Sequence, residues 1–171
     1  MVKDAYSTST STADALAIFN AIKNGRYREQ VARIRRLYTA ELKRTGSHEK
    51  AKKVVEFLKK ALPGVMWSGT FSQRGKEHLL QYSGLFGGDT DVDALDGKDL
   101  NEVRAQLQTS PHVFAVFISP TGHGLKVIVC VPADASKHEA SFRVEAAHTR
   151  AHWRPDRRER QGPGAALFRF F

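Results

Sequence analysis

The feature that most restricts how this chain can fold is a pair of apolar runs, VFAVFIS at 113–119 and LKVIVCV at 125–131, joined by PTGHG. Short runs this rich in Val, Ile and Phe read as strands, and a five-residue link with two glycines predicts a hairpin. Cys130, the one cysteine of the chain, sits inside VIVCV and is expected to be a buried core residue rather than a nucleophile. A single cysteine also rules out a disulfide framework and a cysteine-rich zinc site.

The segments ahead of the hairpin have two different periods. Thr12 is placed to cap a first short helix carrying Ala15, Leu16, Ile18, Phe19 and Ile22, with Asn24-Gly25 as its stop. A second helix is predicted from Tyr27 to Arg44, because Tyr27, Val31, Ile34, Tyr38 and Leu42 recur at spacings of three and four. Ser47 caps a third, closed by Pro63. From residue 64 the stretches VMWSGTF and HLLQYSGLF are short, aromatic and glycine-punctuated, and they read as strands. The acidic segment GGDTDVDALDGKD follows, then a short helix marked by Leu100, Val103 and Leu107. The predicted class is α/β (α+β): N-terminal helices followed by a mixed or antiparallel sheet with helices, incomplete at the C-terminus. The expected division is a disordered Ser/Thr-rich lead over 1–12, a basic helical region over 13–63, an α/β core over 64–142 in the same domain, and a poorly structured tail over 143–171.

Charge is unevenly distributed along these segments. Residues 1–60 carry 14 Lys/Arg against 6 Asp/Glu, a net of +8, whereas residues 61–142 carry 6 against 9, a net of −3. An acidic middle behind a basic front points to a carboxylate site flanked by surfaces that attract polyanions. Arg33, Arg36, Lys52 and Lys53 lie off the apolar stripes of the second and third helices. They are either a solvated helix face or contacts to a nucleic-acid backbone, which needs only clustered cations. No apolar run approaches the roughly 18–20 residues of a membrane span, and the start lacks the apolar stretch of a secretory signal. A cytoplasmic protein with no membrane partner is expected.

Two segments carry residues with chemistry. Asp89, Asp91 and Asp93 alternate in DTDVD, so on an extended strand they share a face, where three carboxylates repel unless a divalent cation sits between them. The alternative is an acidic loop of ordinary turn formers. In SPTGHGLK, Ser119, Thr121, the amides around Gly122 and Gly124, and the Lys126 ammonium are suited to hold a phosphate. The alternative there is a glycine-rich hairpin turn, with His123 solvent-exposed rather than a metal ligand.

Taken together and in order, LPGVMWSGTFS, LLQYSGLFGGDTDVD and SPHVFAVFISPTGHGLKVIV resemble the VirE N-terminal-like domain of bacterial mobile elements. That domain often precedes a helicase-like region, and it is similar to the catalytic core of the archaeo-eukaryotic primase, or primase–polymerase, superfamily. AIKNGRY and KKALPG fit the same pattern, so the resemblance spans roughly residues 15–142. It implies two-metal nucleotidyl transfer, with Asp89 and Asp91 matching the acidic pair that binds Mg²⁺ or Mn²⁺. It further implies that Ser119, Gly122, Gly124 and Lys126 contact the phosphates of a nucleoside triphosphate, with nucleic acid as the second partner. Many primase–polymerases have a histidine where Lys126 stands. The Gly87-Gly88 pair also departs from the usual apolar residues, which predicts a looser strand. The third carboxylate that the resemblance calls for is not found.

The tail offers a reason. WRPDRRERQGPGAALFRFF, from Trp153 onward, has no helical or strand pattern. Codons chosen for it, read one nucleotide later, give GGRTDESGKDPARLCFVSSD, an Asp-containing segment leading into an apolar run like the family's next strand. A frameshift near Trp153 is therefore expected, together with little or no polymerase activity. A non-catalytic module that binds DNA or a partner protein through its basic helices is the alternative function.

Overall fold

A computed structural model describes residues 1–91, 98–137, 140 and 168–169. Three helices come first: α1 (Ala15–Lys23), α2 (Arg28–Thr45) and α3 (His48–Lys60). The cap of α1 is Asp14, whose carboxylate accepts the Ala17 N–H at 3.0 Å, and not Thr12 as expected. Gly46 ends α2 in the left-handed region at φ 64°, and the Ser47 hydroxyl then caps α3 by accepting the Lys50 N–H. The predicted apolar stripes face each other across this tight link. Ile34 and Tyr38 of α2 form one core with Ala51 and Val55 of α3 and with Leu62.

The remainder is antiparallel sheet and one helix, which makes the fold α+β. The strands are β1 (Gly64–Val65), β2 (Gly69–Phe71), β3 (Leu79–Tyr82), β4 (Leu85–Asp91), β5 (Val113–Ile118), β6 (Gly124–Cys130) and β7 (Phe168–Arg169), with α4 (Leu100–Gln108) between β4 and β5. Both glycine-punctuated stretches break where sequence suggested continuous strands. VMWSGTF divides between β1 and β2, and HLLQYSGLF divides between β3 and β4 at Gly84, whose φ of 71° favours glycine.

The main sheet has the order β4-β6-β5. Strands β4 and β5 are both antiparallel to β6 and hence parallel to each other, so β4–α4–β5 is a split β-α-β unit with β6 in its gap. The predicted hairpin is β5–β6. Pairing continues through Gly87 and Gly88, which stand opposite Ile128 and Val127, so the ladder is unbroken at the glycine pair. One face of the sheet (Phe86, Leu125, Val127, Val129) packs on Val103 and Leu107 of α4. On the other face Ile128 packs with Ile18, Val31 and Trp67.

Two sequence expectations need correction here. Residues 1–12 are not a disordered lead. Val2 is buried and exchanges backbone hydrogen bonds with Gly64, and Ser9 bridges to Gln73. A single apolar residue docked beside Met66 and Phe71 anchors this polar stretch. Cys130 is exposed rather than buried, because it is the last residue of β6, just past the buried run 124–129. The tail expectation, the shifted frame included, falls almost wholly outside the described residues. Within it, Phe168–Arg169 pairs with Gly64–Val65. Among the described residues, no helix is long and apolar enough to cross a membrane.

Candidate functional site

The β4–β6 register sets Asp89 directly opposite Lys126 and Asp91 opposite Gly124. Residues paired across an antiparallel ladder project to the same side, so Asp89 and Lys126 share a face, and Phe117 of β5 joins them there. The Lys126 ammonium donates to Asp89 Oδ1 at 2.5 Å. Its side chain is only 9% exposed while that of Asp89 is 36% exposed. A lysine this deep needs a charge partner, and a carboxylate half open to water supplies one while remaining accessible to solutes. Asp91 lies at the end of β4, and Asp93 lies outside the described residues.

The turn beside this pair is closed by its own hydrogen bonds. Ser119 N–H donates to Gly124 O at 2.8 Å and Gly122 N–H donates to Ser119 O at 3.0 Å. The hydroxyls of Ser119 and Thr121 are 3.0 Å apart, and the His123 N–H donates to Thr121 Oγ1. Gly122 adopts φ 82°, which explains why glycine stands at that position. The Gly122 amide, expected to face a phosphate, is thus already engaged. The cations that can meet an anion here are Lys126 from β6 and Arg35 from α2. Arg35 Nη2 donates to Ser119 O at 3.4 Å, so its guanidinium lies over the turn.

Sequence reasoning missed that contact, along with an aromatic cluster that fixes the turn from below. His123 is not solvent-exposed as expected. Its ring stacks on Tyr38 with centroids 4.8 Å apart, and it meets the His48 ring edge-on at 5.6 Å. The Tyr38 hydroxyl in turn bonds His48 Nδ1 at 2.8 Å. Burial, followed by the neighbouring His48 and Arg35, holds the His123 imidazole below its ordinary pKa. The glycine turn is thereby attached to both α2 and α3. Only the recurrence of polar aromatics at Tyr38, His48 and His123 hinted at this in the sequence, and no spacing rule links them.

The four cations assigned to nucleic acid stand apart from this centre. Arg33 and Arg36 are exposed on α2. Lys53 is ion-paired with Glu49 at 2.7 Å, one turn away on α3, and Lys52 is half-buried. The two arginines are therefore better placed for phosphates than the two lysines.

Among the described residues, no group of three or more His, Cys, Asp or Glu side chains converges on a point. A hard cation such as Mg²⁺ needs only one or two carboxylates when substrate phosphates complete its shell. The accessible Asp89 carboxylate, with Asp91 two residues along the same strand, fits a cation that arrives with a phosphate better than one held by protein alone.

The family model of the BT4734-like, N-terminal domain matches residues 57–159, more than half of the chain. The matched range contains the LPGVMWSGTFS, LLQYSGLFGGDTDVD and SPHVFAVFISPTGHGLKVIV segments, and with them Asp89, Asp91, Lys126 and the turn. The helices α1 and α2 precede it. No curated protein and no solved structure matches the chain.

Proposed function

The chain belongs to the BT4734-like, N-terminal domain family, and we propose that it binds a nucleoside triphosphate together with Mg²⁺ or Mn²⁺ on the exposed side of the β4–β6 ladder, beside a nucleic-acid strand. In this reading it is a primase–polymerase-like domain of a VirE-like mobile-element replication protein, with a helicase-like region as a further partner and an incomplete catalytic set. The observation that carries the reading is the Asp89–Lys126 pair, one accessible carboxylate and one buried ammonium on a shared face beside a glycine turn. Asp89 and Asp91 would hold the cation, which supplies neutralising charge to phosphate oxygens. Lys126 and Arg35 would meet those oxygens directly, and the Ser119 hydroxyl would add a donor. Phosphoryl and nucleotidyl chemistry depends mainly on such positioning and charge stabilisation.

A third carboxylate would complete a two-metal site, and the described residues offer none beside Asp89. We place it in the shifted reading frame beyond Trp153. Sequencing the gene tests this, because a shifted frame without the Asp-containing segment would refute it. The second reading, a non-catalytic module that binds DNA, is favoured by two observations: Lys126 already neutralises Asp89, and Arg33 and Arg36 stand exposed.

Titration calorimetry with Mn²⁺ plus a nucleoside triphosphate separates the two. Heat that disappears on Asp89→Ala supports the nucleotide reading. No heat with the intact chain, alongside DNA binding that weakens steeply with salt, supports the second.

A further inference from the structure

Five consecutive residues of β5, Phe114 to Ile118, line a single cavity of about 920 Å³. Neighbouring side chains on a strand point to opposite faces, so a run of five borders one cavity only along the open edge of the strand. That edge is unpaired by topology. β5 lies at the end of the order β4-β6-β5, and no other strand among the described residues pairs with it. Helices α1 and α2 form one bank of the groove and α4 the other. The groove is wet-facing yet apolar: Leu16 is 63% exposed and Phe114 43%. Cations stand on both banks, Lys23, Arg28 and Arg35 on one and Arg104 on the other, and no lining residue is acidic.

We propose that this groove receives an extended acidic segment of a partner protein, added to β5 as a further strand. The inference goes beyond nucleotide binding and does not depend on it. Unpaired backbone N–H and C=O groups along an edge are satisfied most directly by another backbone. Alternate apolar side chains of the incoming strand would lie on the aliphatic floor, and its carboxylates would meet the two cationic banks. A six-residue edge matches a segment of roughly 20 Å. Charge decides between occupants. Residues 143–171 of this chain carry 7 Lys/Arg against 3 Asp/Glu, and a second copy carries the same overall net charge of +9. Single-stranded nucleic acid shares the required charge but wants a series of free aromatic faces. Phe19 is already stacked on Trp67 at 5.1 Å, which leaves Phe114 as the exposed ring in the groove.

The test uses the full chain and a short labelled peptide alternating glutamate and valine, followed by fluorescence anisotropy. Saturable binding is expected, weakened about tenfold by the double variant Arg28→Glu, Arg104→Glu. Methylating alternate backbone amides of the peptide, which blocks strand pairing and leaves its charge, should abolish it. Hydrogen exchange on the unmodified protein gives an independent readout, with the β5 amides slowing when the peptide is added. Absence of binding, equal binding of the methylated peptide or of a valine–lysine peptide, or unchanged β5 exchange would each overturn the proposal. So would an oligothymidylate that displaces the peptide and loses affinity in the same double variant, since the groove would then belong to nucleic acid.

Discussion

Lys126 stands directly across the β4–β6 ladder from Asp89, and the two side chains form an ion pair of 2.5 Å. The pair is lopsided, with the ammonium buried and the carboxylate half open to water. Removing either partner therefore has a different cost, and the difference tests whether the geometry is right.

Asp89→Asn deprives a buried ammonium of its carboxylate and should destabilise the fold by about 2 kcal/mol, below the range for a fully enclosed pair because water reaches Asp89. Lys126→Met leaves a carboxylate that water can solvate, and should cost less than about 1 kcal/mol. Urea unfolding of both variants checks the order. A larger loss for Lys126→Met would contradict it.

Gly122 has φ 82°, and an added Cβ would meet nothing nearer than Arg35 Nε at 3.5 Å, an ordinary contact. Gly122→Ala should thus be destabilising through backbone strain alone, by about 1–2 kcal/mol. Gly122→Asn, which tolerates the left-handed region better, should cost less. Equal losses would point to a clash instead.

The lowered pKa of His123 makes stability depend on pH. The folded state resists protonating this ring, so below the ordinary value of about 6.5 the unfolded chain binds the proton first. Its contribution is unchanged above that value, and stability falls as pH drops from there to the lower folded pKa. His123→Phe keeps the stack on Tyr38 and removes the charge, so its unfolding midpoint should fall less than that of the unmodified chain between neutral pH and pH near 5. Identical pH profiles would contradict the buried placement of His123.

How much of this was legible in sequence depended on how local the cause was. The β5–β6 hairpin could be read because both strands and their turn are contiguous. The stripes of α2 and α3 could be read because a helix repeats its face every three to four residues. The shared face of Asp89 and Lys126 could not, since their partnership is set by a register between strands separated by α4. Arg35 over the turn and the Tyr38–His48–His123 cluster are tertiary in the same sense. So is the β5 groove, whose cations come from the α1–α2 region and α4. Cys130 misled because an apolar run does not announce where burial stops.

The first residues make a separate case. Composition makes 1–12 look unable to fold, yet Val2 is 2% exposed and pairs with Gly64. Val2→Ala should cost about 1–2 kcal/mol, as a small cavity beside Met66 and Phe71. An unchanged urea midpoint would mean that the segment does not dock.

The account's central claim, that Asp89 and Lys126 form one site for a cation and a triphosphate, is tested most directly by the electron paramagnetic resonance signal of free Mn²⁺. With the intact chain, the signal should fall only when a nucleoside triphosphate is also present, by more than the triphosphate alone removes. Asp89→Asn should abolish the additional loss, and Lys126→Met should weaken its dependence on the triphosphate. Depletion that is the same in Asp89→Asn as in the intact chain, or that is absent from both, would contradict the claim.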